Sequence, residues 1–177
     1  VTNNASRSAT SVAAHLVELG IPAEPADVYS AAMAGIELAR RRHGAGARVL
    51  LIGGEGLEEA IAASDLVRVD SADDDPVAVV QGFRPTITWA DLSEAAFAIG
   101  RGADYIATNL DSTLPVERGI AVGNGSLVAA VVNATGKRPV SAGKPEPEIF
   151  RLATARVGGT RPLGVGDRLN TDIAGAN

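Results

Sequence analysis

Gly166-Asp167-Arg168-Leu169-Asn170-Thr171-Asp172-Ile173 decides how this chain reads. The apolar run Pro162-Leu163-Gly164-Val165 leads into it, and its two acids, Asp167 and Asp172, stand five positions apart. A hydrophobic strand that ends in a carboxylate is a common way to hold magnesium. That hard cation takes one or two protein carboxylates and completes its shell with phosphate oxygens and water. An acid just past a buried strand is costly unless it is paired or bound to metal, so Asp167 is expected to be a metal ligand. Asp172 stands evenly between supporting the metal through water and favouring the dipole of the helix that follows.

Two further stretches suit the same chemistry. Thr2-Asn3-Asn4 offers a hydroxyl, backbone N–H groups and amides to phosphate oxygens. Gly143-Lys144-Pro145 offers an ammonium, a point charge for phosphate or a carboxylate. Each is bland alone, since Thr and Asn favour strand-ending turns and loop lysines are ordinary.

Between these stretches, helical and strand patterns alternate. Val12, Leu16 and Leu19 mark a helix over 8–19, stopped by Gly20 and Pro22. Helices follow at 28–42, 57–63, 89–100 (Thr88 as N-cap), from Ser126 as cap to Gly136, and at 147–157. Strands are expected at 48–52, 66–69, 77–80, 105–108, 139–142 and 162–165, with Thr2 at the tip of another. Such alternation predicts an α/β fold with a Rossmann-like parallel sheet, its sites at the carboxyl ends of strands. Thr2, Lys144 and Asp167 all fall at such ends. The stretch 24–137 contains none of them and reads as an inserted α/β domain, with 1–23 and 138–177 as parts of one core domain. The chain begins inside a motif, at Val rather than Met, and is expected to be a fragment.

Composition narrows the function. Aromatics are 3% of 177 residues, so the core must be built from Ala, Val, Leu and Ile. Net charge is −5 and the longest basic run is Arg40-Arg41-Arg42, suited to a helix C-terminus, which argues against nucleic acid as a partner. With no cysteine there is no disulfide, thiolate metal site or cysteine nucleophile, which fits a reducing cytoplasm. No apolar stretch approaches the ~20 residues that cross a bilayer, so no membrane role is expected. Gly53-Gly54-Glu55-Gly56 lacks dinucleotide-loop spacing, and no Gly-x-Ser-x-Gly elbow is present.

The order of the pieces resembles the haloacid dehalogenase superfamily of Mg²⁺-dependent phosphatases, truncated here. The resemblance is to the branch with a large α/β cap between the second and third motifs. It includes nitrophenylphosphatases and phosphatases of pyridoxal phosphate, phosphoglycolate and glycerol 3-phosphate. Val1 to Ser8 matches the second motif, Ala107 to Pro115 and Gly123 to Ala130 resemble cap signatures, Gly143-Lys144-Pro145 matches the third motif, and Gly166 to Ile173 matches the fourth. The resemblance implies that Thr2, with the backbone of Asn3 and Asn4, binds the phosphoryl group. It implies that Lys144 balances the charge of nucleophile and substrate, and that Asp167 holds Mg²⁺ with support from Asp172. In the cap, Arg84, Asn109 and Asp111 lie in strand-end loops expected to touch the substrate's leaving group, Arg84 meeting a second anion and Asp111 a hydroxyl. The family attacks phosphorus with an aspartate of an Asp-x-Asp-Gly motif, and no such motif occurs in these 177 residues, so the chain alone is expected to be inactive. The implied substrate is a small phosphorylated metabolite, first of all glycerol 3-phosphate. A nitrophenyl, phosphoglycolate or sugar phosphate phosphatase, or a non-catalytic phosphoester-binding module, stands as the alternative. Relatives often pair through the cap, which implies a homodimer.

Overall fold

The computed structural model describes residues 1–176. Its strands are β1 (Arg48–Ile52), β2 (Val67–Val69), β3 (Ala78–Gln81), β4 (Asp104–Ala107), β5 (Thr113–Val116), β6 (Gly119–Val122) and β7 (Val140–Ser141). The main helices are α1 (Ala9–Glu18), α2 (Ala31–His43), α3 (Glu55–Ala62), α4 (Trp89–Gly100), α5 (Asn124–Thr135) and α6 (Pro147–Arg156). Five strands form one parallel sheet in the order β2-β1-β3-β4-β7, as the α/β reading predicts.

Side chains alternate across a strand, and here both faces are buried. Val49, Ala78, Val80 and Ile106 face Leu57 and Ile61 of α3, Ile149 of α6 and the alanines of α2. Leu50, Ile52, Val79, Tyr105 and Ala107 face Ala95, Ala98 and Ile99 of α4 and Val128 and Val131 of α5. The result is a three-layer sandwich whose core is aliphatic. Each large side chain enclosed this way contributes about 1.5–3 kcal/mol.

Helix ends obey local chemistry. Ser8 and Ser30 accept N–H bonds from α1 and α2, and Thr88 forms a capping box with Asp91 at α4. The Arg40-Arg41-Arg42 run ends α2 as expected and is also ion-paired. Arg40 and Arg41 hold Glu37, Arg41 also holds Glu148 of α6, and Arg42 holds Asp104 at the start of β4. Among the described residues no helix is long and apolar enough to cross a membrane.

Several expectations are corrected. Pro162 to Val165 forms no strand: among the described residues none lies beside it to complete a ladder, and Leu163 and Val165 are 87% and 86% exposed. Thr2 belongs to no continuous strand and makes a single parallel bridge to Ser30. Ser126 is not the cap of α5. Gly123 takes that place, and the Ser126 hydroxyl donates to Ser112 O at 2.8 Å. The antiparallel β5–β6 hairpin is unanticipated. β7 lies past the boundary expected at 137 yet pairs with β4, so the sheet runs across it.

Candidate active site

Thr2, Asn3, Asn4, Asn109, Asp111, Lys144, Asp167 and Asp172 all line one cleft of about 560 Å³. Its position follows from the sheet, because β4 and β7 end at Ala107 and Ser141, and the chain turns there into Asn109 and Lys144. The 2–7 segment lies against these turns, held by Thr2 N–H donating to Tyr29 O and Ala31 N–H donating to Thr2 O.

Lys144 is the hub. Its ammonium donates to the Asp172 carboxylate and, at 3.3 Å, to Val1 O. Both side chains of the pair are only 13% exposed. The Lys144 ammonium, joined by the Arg168 N–H that donates to Asp172 Oδ2 at 3.1 Å, holds the Asp172 carboxyl below the usual carboxylate range. Gly166 allows this, since a Cβ there would sit 2.3 Å from Asp172 Cγ. Asn3 brackets the Lys144 backbone, accepting its N–H at 2.7 Å and donating to its carbonyl at 3.0 Å.

Asp167 departs from its expected setting. It follows exposed chain rather than a buried strand, is itself exposed, and has no hydrogen-bond or ion-pair partner among the described residues. Asp172, not Asp167, takes the inner place beside Lys144. The Asn4 side-chain oxygen Oδ1 accepts from Ser6 N, Ser6 Oγ and Arg7 N, closing a turn, and Asn4 N–H donates to Thr2 Oγ1 at 3.1 Å. Asp111 accepts from Asn3 Nδ2 at 3.2 Å and pairs with Arg168 at 3.4 Å, joining the loop before β5 to both phosphate-type motifs. Arg84 is a correction: it does not line the cleft. It is drawn into a polar knot, its terminal nitrogens donating to Asp91 at 2.8 Å and Gly53 O at 3.2 Å while its Nε is buried.

Sequence reasoning gave no role to Arg7 and Arg168, which line the cleft, or to Asn124, buried at its floor. Arg168 adjoins Asp167 in the motif itself, and Asn124 stands between two glycines; those were the available signals. The cleft therefore carries Arg7, Lys144 and Arg168 against Asp111, Asp167 and Asp172. Hydroxyl, ammonium and carboxylates converge there as a phosphate ester and a hard cation require.

Comparison with known proteins agrees with this geometry. A family model described as haloacid dehalogenase-like hydrolase matches residues 1–67, and a HAD-hydrolase-like model matches 141–177. The chain is 52% identical over 177 residues to D-glycerol 3-phosphate phosphatase of Mycobacterium tuberculosis, covering all of this chain and 50% of that protein. It is 40% identical over 183 residues to a 5′-nucleotidase of Bacillus subtilis, covering 69% of that protein. A crystal structure of the M. tuberculosis glycerol phosphate phosphatase in complex with magnesium superposes with TM-score 0.96 at 51% identity, over 98% of this chain and 53% of that one. The chain thus spans about half the length of the M. tuberculosis relative. It belongs to the haloacid dehalogenase-like hydrolases, in their large-cap branch.

Proposed function

We propose that the whole protein is a Mg²⁺-dependent phosphatase of small phosphomonoesters, with glycerol 3-phosphate as its first substrate. The observation that carries this is the convergence of Thr2, Lys144, Asp167 and Asp172 on one cleft. The identity of 52% to a D-glycerol 3-phosphate phosphatase supports the choice of substrate. Residues 24–137 serve as the cap, with β7 at the seam, and 1–23 with 138–177 as the core portion.

The residues fit magnesium. Asp167 presents to the cleft a carboxylate with no partner among the described residues, and Asp172, held by Lys144 and the Arg168 N–H, lines it as well; no group of three or more His, Asp or Glu side chains placed to hold a metal ion occurs among the described residues. Two carboxylates and room for water suit Mg²⁺ better than a cation that needs an all-protein cage. Bound there, the ion would neutralise charge on the phosphoryl oxygens. The chain's own residues do the rest. Lys144 draws the phosphate to the floor of the cleft, Thr2 Oγ1 hydrogen-bonds it, and Asp111 accepts from a hydroxyl of the leaving group. Closure of the side of the cleft lined by Asn109, Asp111 and Leu114 would exclude water. These 177 residues contain no Asp-x-Asp-Gly nucleophile, so on their own they bind and orient a phosphate without attacking it.

The cysteine-free chain suits the reducing cytoplasm. Trp89 and Ile120, 82% and 74% exposed on the cap elements, support pairing of two copies there, which size-exclusion measurement of the whole protein tests.

The functional test is a phosphomonoester screen of the full translated reading frame, with and without Mg²⁺, beside the 177-residue chain. Mg²⁺-dependent phosphate release from glycerol 3-phosphate by the former alone is expected. No release from any phosphomonoester would overturn the assignment.

A further inference from the structure

Along the wall of the cleft runs a line of three asparagines, Asn124 and Asn109 buried and Asn3 half-buried, whose side-chain amides bond to one another's backbone or to that of Lys144. It starts at Gly123-Asn124-Gly125, which opens α5. A Cβ at Gly123 would stand 2.3 Å from Asp111 O, and one at Gly125 2.3 Å from Leu110 O. Only residues without side chains let the start of this helix close on the 109–113 loop. The helix N–H groups meet that loop rather than an anion: Gly125 N–H donates to Asp111 O and Gly123 N–H to Ser112 O, each at 2.9 Å.

The side chain held between these glycines points inward. Asn124 is 2% exposed, and its Nδ2 donates to Asn109 O at 2.8 Å. Asn109 is 6% exposed, and its Nδ2 donates to Asn3 O at 2.9 Å. Asn3 in turn grips both backbone polar groups of Lys144. The line thus runs from a cap helix to the catalytic-type lysine, one amide per step. It carries a cost at its start, because Asn124 Oδ1 and the neighbouring Gln81 Nε2 are buried without partners. An unsatisfied buried acceptor is destabilising, and an apolar residue at 124 would remove that one while taking the donor away from Asn109 O. What the asparagine adds is the bond it donates to Asn109.

We infer that Asn124 is a positioning residue for Lys144, acting through Asn109 and Asn3. A lysine stem is flexible, so the ammonium is placed only if the backbone beneath it is fixed. Asn3 fixes that backbone, and Asn124 fixes Asn3 through Asn109. Misplacing a reacting group by about 1 Å reduces rates as much as 10²-fold.

Two measurements on the whole protein test the inference; only the second rests on the phosphatase reading. In native-state hydrogen exchange followed by NMR, Asn124→Ala is expected to accelerate exchange of the Lys144 amide about tenfold while the amides of Val79 and Ile106 stay unchanged. An unchanged Lys144 amide, or acceleration shared equally with Val79, would overturn it. In kinetics, Asn124→Ala is expected to lower kcat/KM about tenfold, yet to add nothing to the loss caused by Lys144→Ala, because residues acting as a unit are not additive. A full tenfold further loss in the double variant would show a role independent of Lys144 and overturn the inference. If Asn124→Ala does not fold, Asn109→Ser breaks the same line within a loop and is read by the same criteria. Absence of any phosphatase activity would sink the proposed function, while the exchange measurement still decides the positioning role.

Discussion

At Gly143 the methyl group of an alanine would stand 2.4 Å from Thr108 O and 2.6 Å from Asn3 Oδ1. Both neighbours are fixed, the first by burial and the second by its bond to Lys144, so the lysine loop would have to move. Gly143→Ala is expected to destabilise the fold by about 1–3 kcal/mol, as overpacking does, and to displace Lys144 from Asp172. A thermal melt shows the first effect and loss of phosphate binding the second. The two motif acids should then separate cleanly. Asp167 is exposed and unpartnered, so Asp167→Asn should leave stability within about 0.5 kcal/mol and abolish Mg²⁺-dependent turnover of the whole protein. Asp172→Asn breaks a charge-assisted bond to Lys144 and should lower stability by about 1.5–3 kcal/mol. Equal melting behaviour of the two variants would contradict the roles given to them.

Among the elements, α4 shows how far local chemistry reaches. Thr88 accepts from Asp91 N–H at 3.2 Å, and Asp91 returns bonds to the Thr88 N–H and hydroxyl while holding Arg84. Thr88→Ala is expected to lower stability by about 1 kcal/mol in chemical denaturation. The cap was legible in the sequence because the box lies within four residues, and so were the helix limits at 89 and 100. What depends on distant partners was not. Leu163 and Val165 carry strand-like side chains, but a strand exists only beside another, and no neighbour meets them. The β5–β6 hairpin escaped because its tip is Glu117-Arg118, without the Gly or Asn that marks tight turns, and because Pro115 sits inside a strand. Its exposed sides explain the tolerance of that proline. Arg84 was misplaced for a similar reason: its strand-end position was readable, but its partner Asp91, on the following helix, decides where the guanidinium points. Asn124 was legible only as part of a glycine-rich turn, since its meaning lies in Asn109 and Asn3.

At the scale of the whole fold, three depressed carboxyls among the described residues set the acid limit. Lys144 lowers Asp172 and Arg40 lowers Glu37; burial alone would raise Asp91, but the Thr88 N–H and hydroxyl and the Arg84 guanidinium prevail and lower it. Each binds a proton less readily folded than unfolded. Each therefore contributes stability that is complete above the ordinary carboxylate pKa, about 4, and is lost as pH falls through the lowered folded value. Urea midpoints should hold from pH 7 to about 5 and fall steeply below about 4. The fall should be shallower in Asp172→Asn, and an equal slope would remove Asp172 from the set.

On the proposed function, sequence-distant motifs build one phosphate-and-metal site at the carboxyl end of the sheet. Anomalous diffraction from crystals of the whole protein grown with Mn²⁺ in place of Mg²⁺, together with inorganic phosphate, tests it most directly. An anomalous peak is expected at about 2.1 Å from an Asp167 carboxylate oxygen, with phosphate density hydrogen-bonded to Thr2 Oγ1 and Lys144 Nζ. A peak outside the cleft, or phosphate bound away from both side chains, would contradict it.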